Sequence, residues 1–198
     1  HVGFGYHDGY VQLASLDDGL ELHEKFDVAH NADANLIVTK LAFLGDDDNR
    51  QMVTFDTESD ELRYYSLDME LNASLETREA VPDAKIGRQL ITAPDHKHLA
   101  LLMENGIHIY KGQKHVETIN NHHKHIKQIS WNPDGAYLAY INNSKNLTFH
   151  DLKTGQNSRM RIDKNFETMA VMDQTGQYLL TKPAENRVYQ VLDLIHGK

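Results

Sequence analysis

The stretch IKQISWNPDGAYLAYIN (residues 126–142) decides the fold, because it reads as two short strands joined by a tight turn. Apolar and aromatic residues occupy many positions on both sides of Asn132-Pro133-Asp134-Gly135. Proline presets φ for a turn, and glycine takes a positive φ without a steric cost. The stretch NLTFHDLKTGQ (residues 146–156) adds a third strand and a second turn. A run of short antiparallel strands is therefore predicted.

The same outline recurs along the chain, which predicts a repeat architecture. Apolar residues of the expected third strands align, roughly 40–50 residues apart, at Val11, Leu62, Ile107, Leu147 and Tyr189. This spacing divides the chain into five approximate blocks, 1–30, 31–80, 81–120, 121–162 and 163–198. A single block is too small to bury both faces of its sheet, so neighbouring blocks are expected to stack.

The block at 121–162 resembles a WD40 repeat. Asn121-His122 stands at the family's Gly-His position, Pro133-Asp134-Gly135 matches its turn, and His150-Asp151 stands at its Trp-Asp position. β-Propellers of the TolB type share this turn and the Asp-Leu-Lys-Thr-Gly turn. The resemblance implies an all-β, WD40-like β-propeller with about five blades represented, the first and last incomplete. Residues 1–198 are then one domain or part of one, with the missing blades supplied by the rest of the same protein or by another chain.

Some residues of this block depart from the WD40 pattern. WD40 repeats often link a histidine, a Ser or Thr, a tryptophan and a turn aspartate, but here Ser144 stands at the aspartate position and His150 at the tryptophan position. The usual polar network is therefore absent or altered. We expect the strand residues His108 and His150 to pack between blades, and Trp131 to pack in the core.

Composition removes several classes of function. The chain has 198 residues, no cysteine and a formal net charge of -9. Disulfides, thiolate zinc sites, iron–sulfur clusters and cysteine nucleophiles are thereby excluded. The acidic balance argues against nucleic-acid binding, and no apolar run is long enough to span a membrane. A cysteine-free chain fits the cytosol and an extracytoplasmic space equally well, so the compartment stays open.

Two polar clusters raise the question of a metal. His122, His123 and His125 are close in sequence, but neighbouring loop residues rarely converge on a tetrahedral zinc ion, so a solvated loop is expected. Asp46-Asp47-Asp48 lacks the alternating ligands and terminal Glu of a calcium loop. The sequence contains no nucleophile elbow, phosphate loop or dinucleotide fingerprint. We therefore expect no enzyme activity, no cofactor and no metal, with a histidine-dependent metal protein as an alternative.

The resemblance implies a rigid scaffold that binds other proteins, in a larger assembly, through its inter-blade loops. These loops are expected around 31–35, 46–50, 81–85, 120–125 and 162–166. We favour the last two, whose candidate contact residues are Asn120, His122, His123, His125, Asp163 and Asn165. The alternative function is that of a propeller domain in an extracytoplasmic ligand-binding protein or hydrolase, which a neighbouring signal peptide or hydrolase domain would favour.

Overall fold

The described part of the chain is built from β-strands. The computed structural model describes residues 2–5, 10–15, 21–27, 38–46, 48–56, 59–83, 87–120, 126–142, 146–161, 166–172, 177–183 and 188–194. Within these ranges there are 18 strands and no helix. It follows that no helix in these ranges has the length and apolar character needed to cross a membrane.

The strands form five sheets, each an antiparallel meander in sequence order, which we call blades 1 to 5. Blade 1 contains β1 (Val2–Gly5), β2 (Tyr10–Ser15) and β3 (Glu21–Asp27). Blade 2 contains β4 (Val38–Leu44), β5 (Gln51–Asp56), β6 (Glu61–Leu67) and β7 (Ala73–Ala80). Blade 3 contains β8 (Gly87–Thr92), β9 (His98–Met103), β10 (Gly106–Lys111) and β11 (Lys114–Asn120). Blade 4 contains β12 (Ile126–Trp131), β13 (Tyr137–Asn142), β14 (Asn146–Asp151) and β15 (Asn157–Arg161), and blade 5 contains β16 (Phe166–Met172), β17 (Tyr178–Pro183) and β18 (Gln190–Asp193).

The turn between β12 and β13 shows why these residues form hairpins. The Gly135 amide donates to the Asn132 carbonyl at 3.0 Å, and Gly135 has a φ of 71°. The Asp134 carboxylate accepts the Ala136 amide at 2.8 Å, and the Asn132 side chain accepts the Tyr137 amide at 2.7 Å. The turn residues thus satisfy their own backbone donors while glycine takes the left-handed conformation.

Apolar residues on both faces of the inner blades pack against the neighbouring blades. One core cluster lies between blades 2 and 3 and includes Phe55, Tyr64 and Leu101. The next lies between blades 3 and 4 and includes Ile107 and Trp131. Further clusters lie between blades 1 and 2 and between blades 4 and 5. The first strands β4, β8, β12 and β16 also contact one another in series, so the blades stack in the manner of a β-propeller.

Blades 1 and 5 are smaller than the inner blades. Gly3 of β1 packs on the first strand of blade 2, where a Cβ would lie 2.7 Å from Leu41. Within the described residues, blades 1 and 5 each have three strands, whereas the inner blades have four. The prediction of an all-β propeller with about five blades, the first and last incomplete, is confirmed.

Candidate partner-binding site at the turn end of blade 2

A surface cavity opens at one end of blade 2. It has a volume of about 510 Å³ and is lined by Phe43, Leu44, Gly45, Asp46, Arg50, Gln51, Leu67 and His96. Seven of these residues belong to blade 2, to the turn between β4 and β5 or to the adjoining ends of β4, β5 and β6, whereas His96 belongs to the equivalent turn of blade 3. We call this end of the blades the turn end. A cavity of this size is typical of sites that hold a small ligand or part of a peptide.

The turn between β4 and β5 is fixed by its glycine and its aspartate. Gly45 has a φ of 85°, and a Cβ at this position would lie 1.8 Å from the Asn49 carbonyl oxygen. The Asn49 amide donates to the Asp46 side chain at 3.1 Å. The Leu67 amide donates to the Arg50 carbonyl at 2.9 Å and ties the end of β6 to this turn. The cavity walls in blade 2 are therefore held by backbone hydrogen bonds.

His96 forms the wall on the side of blade 3 and has an unusual backbone. In blade 4 the matching turn is Pro133-Asp134-Gly135, whereas in blade 3 it is Pro94-Asp95-His96. His96 takes the left-handed conformation of the glycine, with a φ of 53°. Its amide donates to the Ala93 carbonyl at 2.9 Å, and its carbonyl accepts the Gly45 amide at 2.8 Å. An exposed histidine thus occupies a position that favours glycine and contacts the cavity.

Asp95 holds the His96 turn in place. Its carboxylate accepts the Lys97 amide at 2.9 Å and the His98 amide at 3.0 Å, and it lies 2.5 Å from the His98 ring nitrogen Nδ1. Partial burial alone would raise the pKa of Asp95, but the hydrogen bonds from Lys97 and His98 outweigh it and the pKa lies below its usual value. The His98 ring in turn lies 6.5 Å from the ring of Trp131 in blade 4. The cavity wall therefore rests on a turn that is anchored to two blades.

The rim of the cavity is acidic. Exposed carboxylates lie in the β4–β5 turn and the β6–β7 turn of blade 2 and on its fourth strand, β7. They belong to Asp46, Asp48, Asp68, Glu70 and Glu76. The lining residue Gln51 donates to Glu76 at 2.7 Å. Hydrogen bonds from the side chain and amide of Asn72 lower the pKa of Asp68, so this carboxylate stays ionised into mildly acidic solution. The blade 2 side of the cavity therefore attracts positive charge.

No metal site is seen in the part of the chain that the structure describes. Within it, no three His, Asp or Glu side chains converge so that they could hold an ion. Asp47 and the histidines at 122, 123 and 125 lie outside the described residues, so the two metal hypotheses at those positions stay untested.

The favoured binding residues of the sequence lie mostly outside the described ranges. Asn120 ends β11 and is exposed, at the opposite end of the blades from the cavity. The structure does not describe His122, His123, His125, Asp163 and Asn165, nor the loop at 31–35. Of the loop at 81–85, residues 81–83 are described. The loop at 46–50 was predicted to lie between blades, but it joins two paired strands of blade 2, β4 and β5, and its residues Asp46 and Arg50 line the cavity.

His150 links blades 3 and 4 through a polar network that replaces the one expected of WD40 repeats. His150 is 1% exposed. Its ring nitrogen Nε2 lies 3.0 Å from the Glu117 carboxylate of blade 3, and its Nδ1 lies 3.2 Å from the Asn157 side-chain oxygen. The Tyr140 hydroxyl donates to the same Asn157 oxygen at 3.4 Å. The buried His150 ring thus has a hydrogen-bond partner at each nitrogen, one in each of two blades, so we assign this network to blade packing.

A second buried polar group lies between blades 2 and 3. His108 is 1% exposed, and its Nδ1 lies 3.3 Å from the Thr118 hydroxyl. Burial, reinforced by the nearby His115, lowers the pKa of His108 to about 4. The hydroxyls of Tyr64 and Tyr110 are buried without a hydrogen-bond partner, and burial raises the pKa of both side chains. Such groups stay uncharged at neutral pH and act as core residues.

Comparison with known proteins supports the fold class. No protein-family model matches the chain, and no curated protein matches it. A solved crystal structure of a protein from Lactobacillus plantarum matches with a TM-score of 0.71 at 16% sequence identity. The match covers 98% of this chain and 64% of that protein, so the chain spans less than two thirds of its structural neighbour. The likeness, together with the stacked four-stranded sheets, defines an all-β, propeller-like protein.

Proposed function

We propose that this chain is a non-catalytic protein-interaction scaffold of the WD40-like or TolB-type propeller class, and that it works within a larger assembly. The cavity at the turn end of blade 2 is the observation that carries the proposal. Propeller blades are rigid supports, and binding residues are commonly placed on the turns and loops that such scaffolds hold in position. The turn residues of the repeat support the finer class, because both families share the Asn-Pro-Asp-Gly turn.

The buried histidines support a binding role over a catalytic one. A general base needs a hydrogen-bonding path to a substrate, in most cases in an accessible cleft. The imidazoles of His108 and His150 are each 1% exposed and lie between blades. His150 is engaged on both ring nitrogens. Their placement favours structural use, and it leaves the exposed turns to make contacts with partners.

Affinity capture tests the proposal. The full-length protein is expressed in its native source, with this segment intact or deleted, and the captured proteins are identified by mass spectrometry. A discrete set of proteins that is lost on deletion is expected. An unchanged set would remove the scaffold role and direct attention to small-molecule binding.

We also propose that a further blade covers the open face of blade 5. Leu180 and Val191 are cross-strand neighbours on that face and are 38% and 60% exposed. The opposite face packs on blade 4 through Leu179, which is 1% exposed. Every inner blade buries apolar residues on both faces, so an uncovered apolar face is the surface on which the next blade would stack.

Cysteine labelling tests whether a further blade covers the open face of blade 5. A single introduced cysteine is the only thiol, because the chain has no cysteine of its own. We expect Val191→Cys to react readily with a maleimide in the 198-residue chain and to be protected in a longer protein or complex that supplies the blade. The matched variant Leu179→Cys is expected to be protected in both. Equal labelling of Val191→Cys in the chain and in the longer protein would contradict the proposal.

A further inference from the structure

The cavity has the walls of a pocket for one apolar side chain. Phe43 and Leu67 line it, and both residues are only partly buried. Met69, in the turn that follows Leu67, is 80% exposed. Protein interfaces concentrate their binding energy in a few anchor side chains that fill such pockets. The walls therefore suit a leucine-sized or phenylalanine-sized side chain of a partner.

The charges around the pocket select a cationic partner. The two turns of blade 2 carry the exposed carboxylates of Asp46, Asp48, Asp68 and Glu70 and one cation, Arg50, whereas the adjoining turns of blade 3 carry Lys97, Lys111 and Lys114. The chain as a whole carries a formal net charge of -9. Complementary charge steers encounter and suppresses wrong partners. An anionic partner would meet repulsion at the rim, whereas lysine and arginine side chains would meet carboxylates.

The pocket is preorganised by contacts between blades 2 and 3. The Gly45 amide donates to the His96 carbonyl at 2.8 Å, and the Thr92 hydroxyl donates to the Phe43 carbonyl at 2.5 Å. Gln113 of blade 3 donates to Glu76 of blade 2 at 3.3 Å. Walls that are already ordered lose little freedom when a partner binds.

We infer that this cavity binds a basic peptide segment of a partner protein, with one apolar side chain of the segment inserted between Phe43 and Leu67 and its flanking lysines or arginines paired with the acidic rim. The inference rests on the proposed scaffold function and specifies its partner. His96 lines the pocket on the side of blade 3.

Peptide arrays of defined composition test the chemistry of the partner. The probes are acetylated and amidated heptapeptides with Leu, Ile, Met or Phe at the centre and Lys or Arg elsewhere. Matched arrays carry Asp or Glu, or Ser or Gln, at the flanking positions, and a further array has Ser at the centre. The basic arrays with an apolar centre are expected to bind best. Preferred binding to the acidic arrays, or equal binding of the array with a serine centre, would overturn the inference.

Two double variants locate the binding on the protein. Asp48→Asn with Glu70→Gln removes two rim charges, whereas Asp83→Asn with Glu104→Gln removes two exposed charges at the opposite end of the blades. Both change the net charge equally. The rim variant is expected to weaken binding of the basic peptides about threefold to tenfold at low salt, and the control to leave it within about a factor of two. Equal effects of the two variants would overturn the inference.

The captured proteins separate this inference from the scaffold function on which it rests. Loss of captured proteins with the rim variant, but not with the control, is expected. If the same discrete set is captured by both variants at wild-type levels, the cavity is not the contact site, and the scaffold function stands without it. If no discrete set of proteins is captured while basic peptides still bind at the rim, the scaffold function is refuted. The preference of the cavity for basic peptides is then retained.

Discussion

Replacing His96 with glycine is expected to stabilise the protein, because His96 takes a left-handed backbone conformation with a φ of 53°. A residue with a Cβ in this conformation costs about 1–2 kcal/mol relative to its usual conformations. Glycine removes that strain but has more freedom in the unfolded chain, which costs about 0.5–1 kcal/mol. The exposed imidazole contributes little packing. The net gain is therefore about 0.5–1 kcal/mol in the free energy of unfolding.

Urea unfolding followed by tryptophan fluorescence measures the effect, because Trp131 is the one tryptophan and lies in the core between blades 3 and 4. In thermal unfolding of a chain of this size, the same gain corresponds to a rise in Tm of about 1–4 °C. The backbone hydrogen bonds of residue 96 to Ala93 and Gly45 do not depend on the side chain and are retained. The variant His96→Ala keeps the strain and is expected to be no more stable than the wild type.

The comparison of these variants decides whether backbone strain is the cause. If His96→Gly is no more stable than His96→Ala, the reasoning from φ is refuted. Gly135→Ala provides the mirror experiment, since Gly135 has the same role in blade 4 with a φ of 71° and an added Cβ meets only ordinary contacts at 3.7 Å or more. It is expected to cost about 0.5–1 kcal/mol, the same balance of strain and unfolded-chain entropy with the opposite sign. His96→Gly is also expected to weaken binding of the basic peptides, so that stability rises while affinity falls.

Three further variants test the packing described above. Glu117→Ala leaves the buried His150 nitrogen without its partner and is expected to cost about 1–2 kcal/mol in urea unfolding at pH 7; an unchanged midpoint would contradict the link between blades. The folded protein keeps His108 neutral, with a pKa near 4, whereas the unfolded chain takes up a proton below about pH 6.5. Stability is thus lost as pH falls from 6.5 towards 4, by at most about 1.4 kcal/mol per pH unit, and His108→Gln is expected to flatten this part of the urea midpoint profile; a parallel profile would contradict it. Gly45→Ala forces a Cβ against a backbone oxygen and is expected to cost about 3 kcal/mol or more in thermal unfolding, whereas Gly112→Ala, whose Cβ meets open space, costs about 1 kcal/mol; similar losses would contradict the close approach at Gly45.

The fold could be predicted from the sequence because its signals are local and repeated. The turn at Asn132-Pro133-Asp134-Gly135 forms through its own side chains and amides, without help from other blades. The aligned residues Leu62, Ile107 and Leu147 all lie on third strands and are buried. Val11 lies on β2 and is buried, whereas Tyr189 lies just before β18 and is 55% exposed. Periodic burial and turn chemistry therefore sufficed to identify the number of blades.

The site could be predicted only in part, because its walls come from different repeats. The loop at 46–50 was a candidate from its position between strands, but nothing in it indicates that Phe43, Leu67 and His96 converge beside it. His96 was missed. The available signal was the histidine at the third position of a Pro-Asp-Gly turn, which implies a strained backbone. Strain at an exposed turn is a known sign of functional use, so a comparison of equivalent turns would have singled it out.

Hydrogen bonds between blades explain why walls from different repeats can form one pocket. The Gln89 side chain in β8 binds the Ile129 backbone of β12 twice, as donor and as acceptor, each at 3.2 Å. The Trp131 indole donates to the Ile91 carbonyl at 3.4 Å. Apolar packing alone would let neighbouring sheets slide, because it has little directionality. Hydrogen bonds from side chains to the backbone of the next first strand fix the blades in register. Between blades 2 and 3, the bonds from Thr92 to Phe43 and from Gly45 to His96 act in the same way, so the turn of blade 3 is held beside that of blade 2 and His96 lines the same cavity as Leu67.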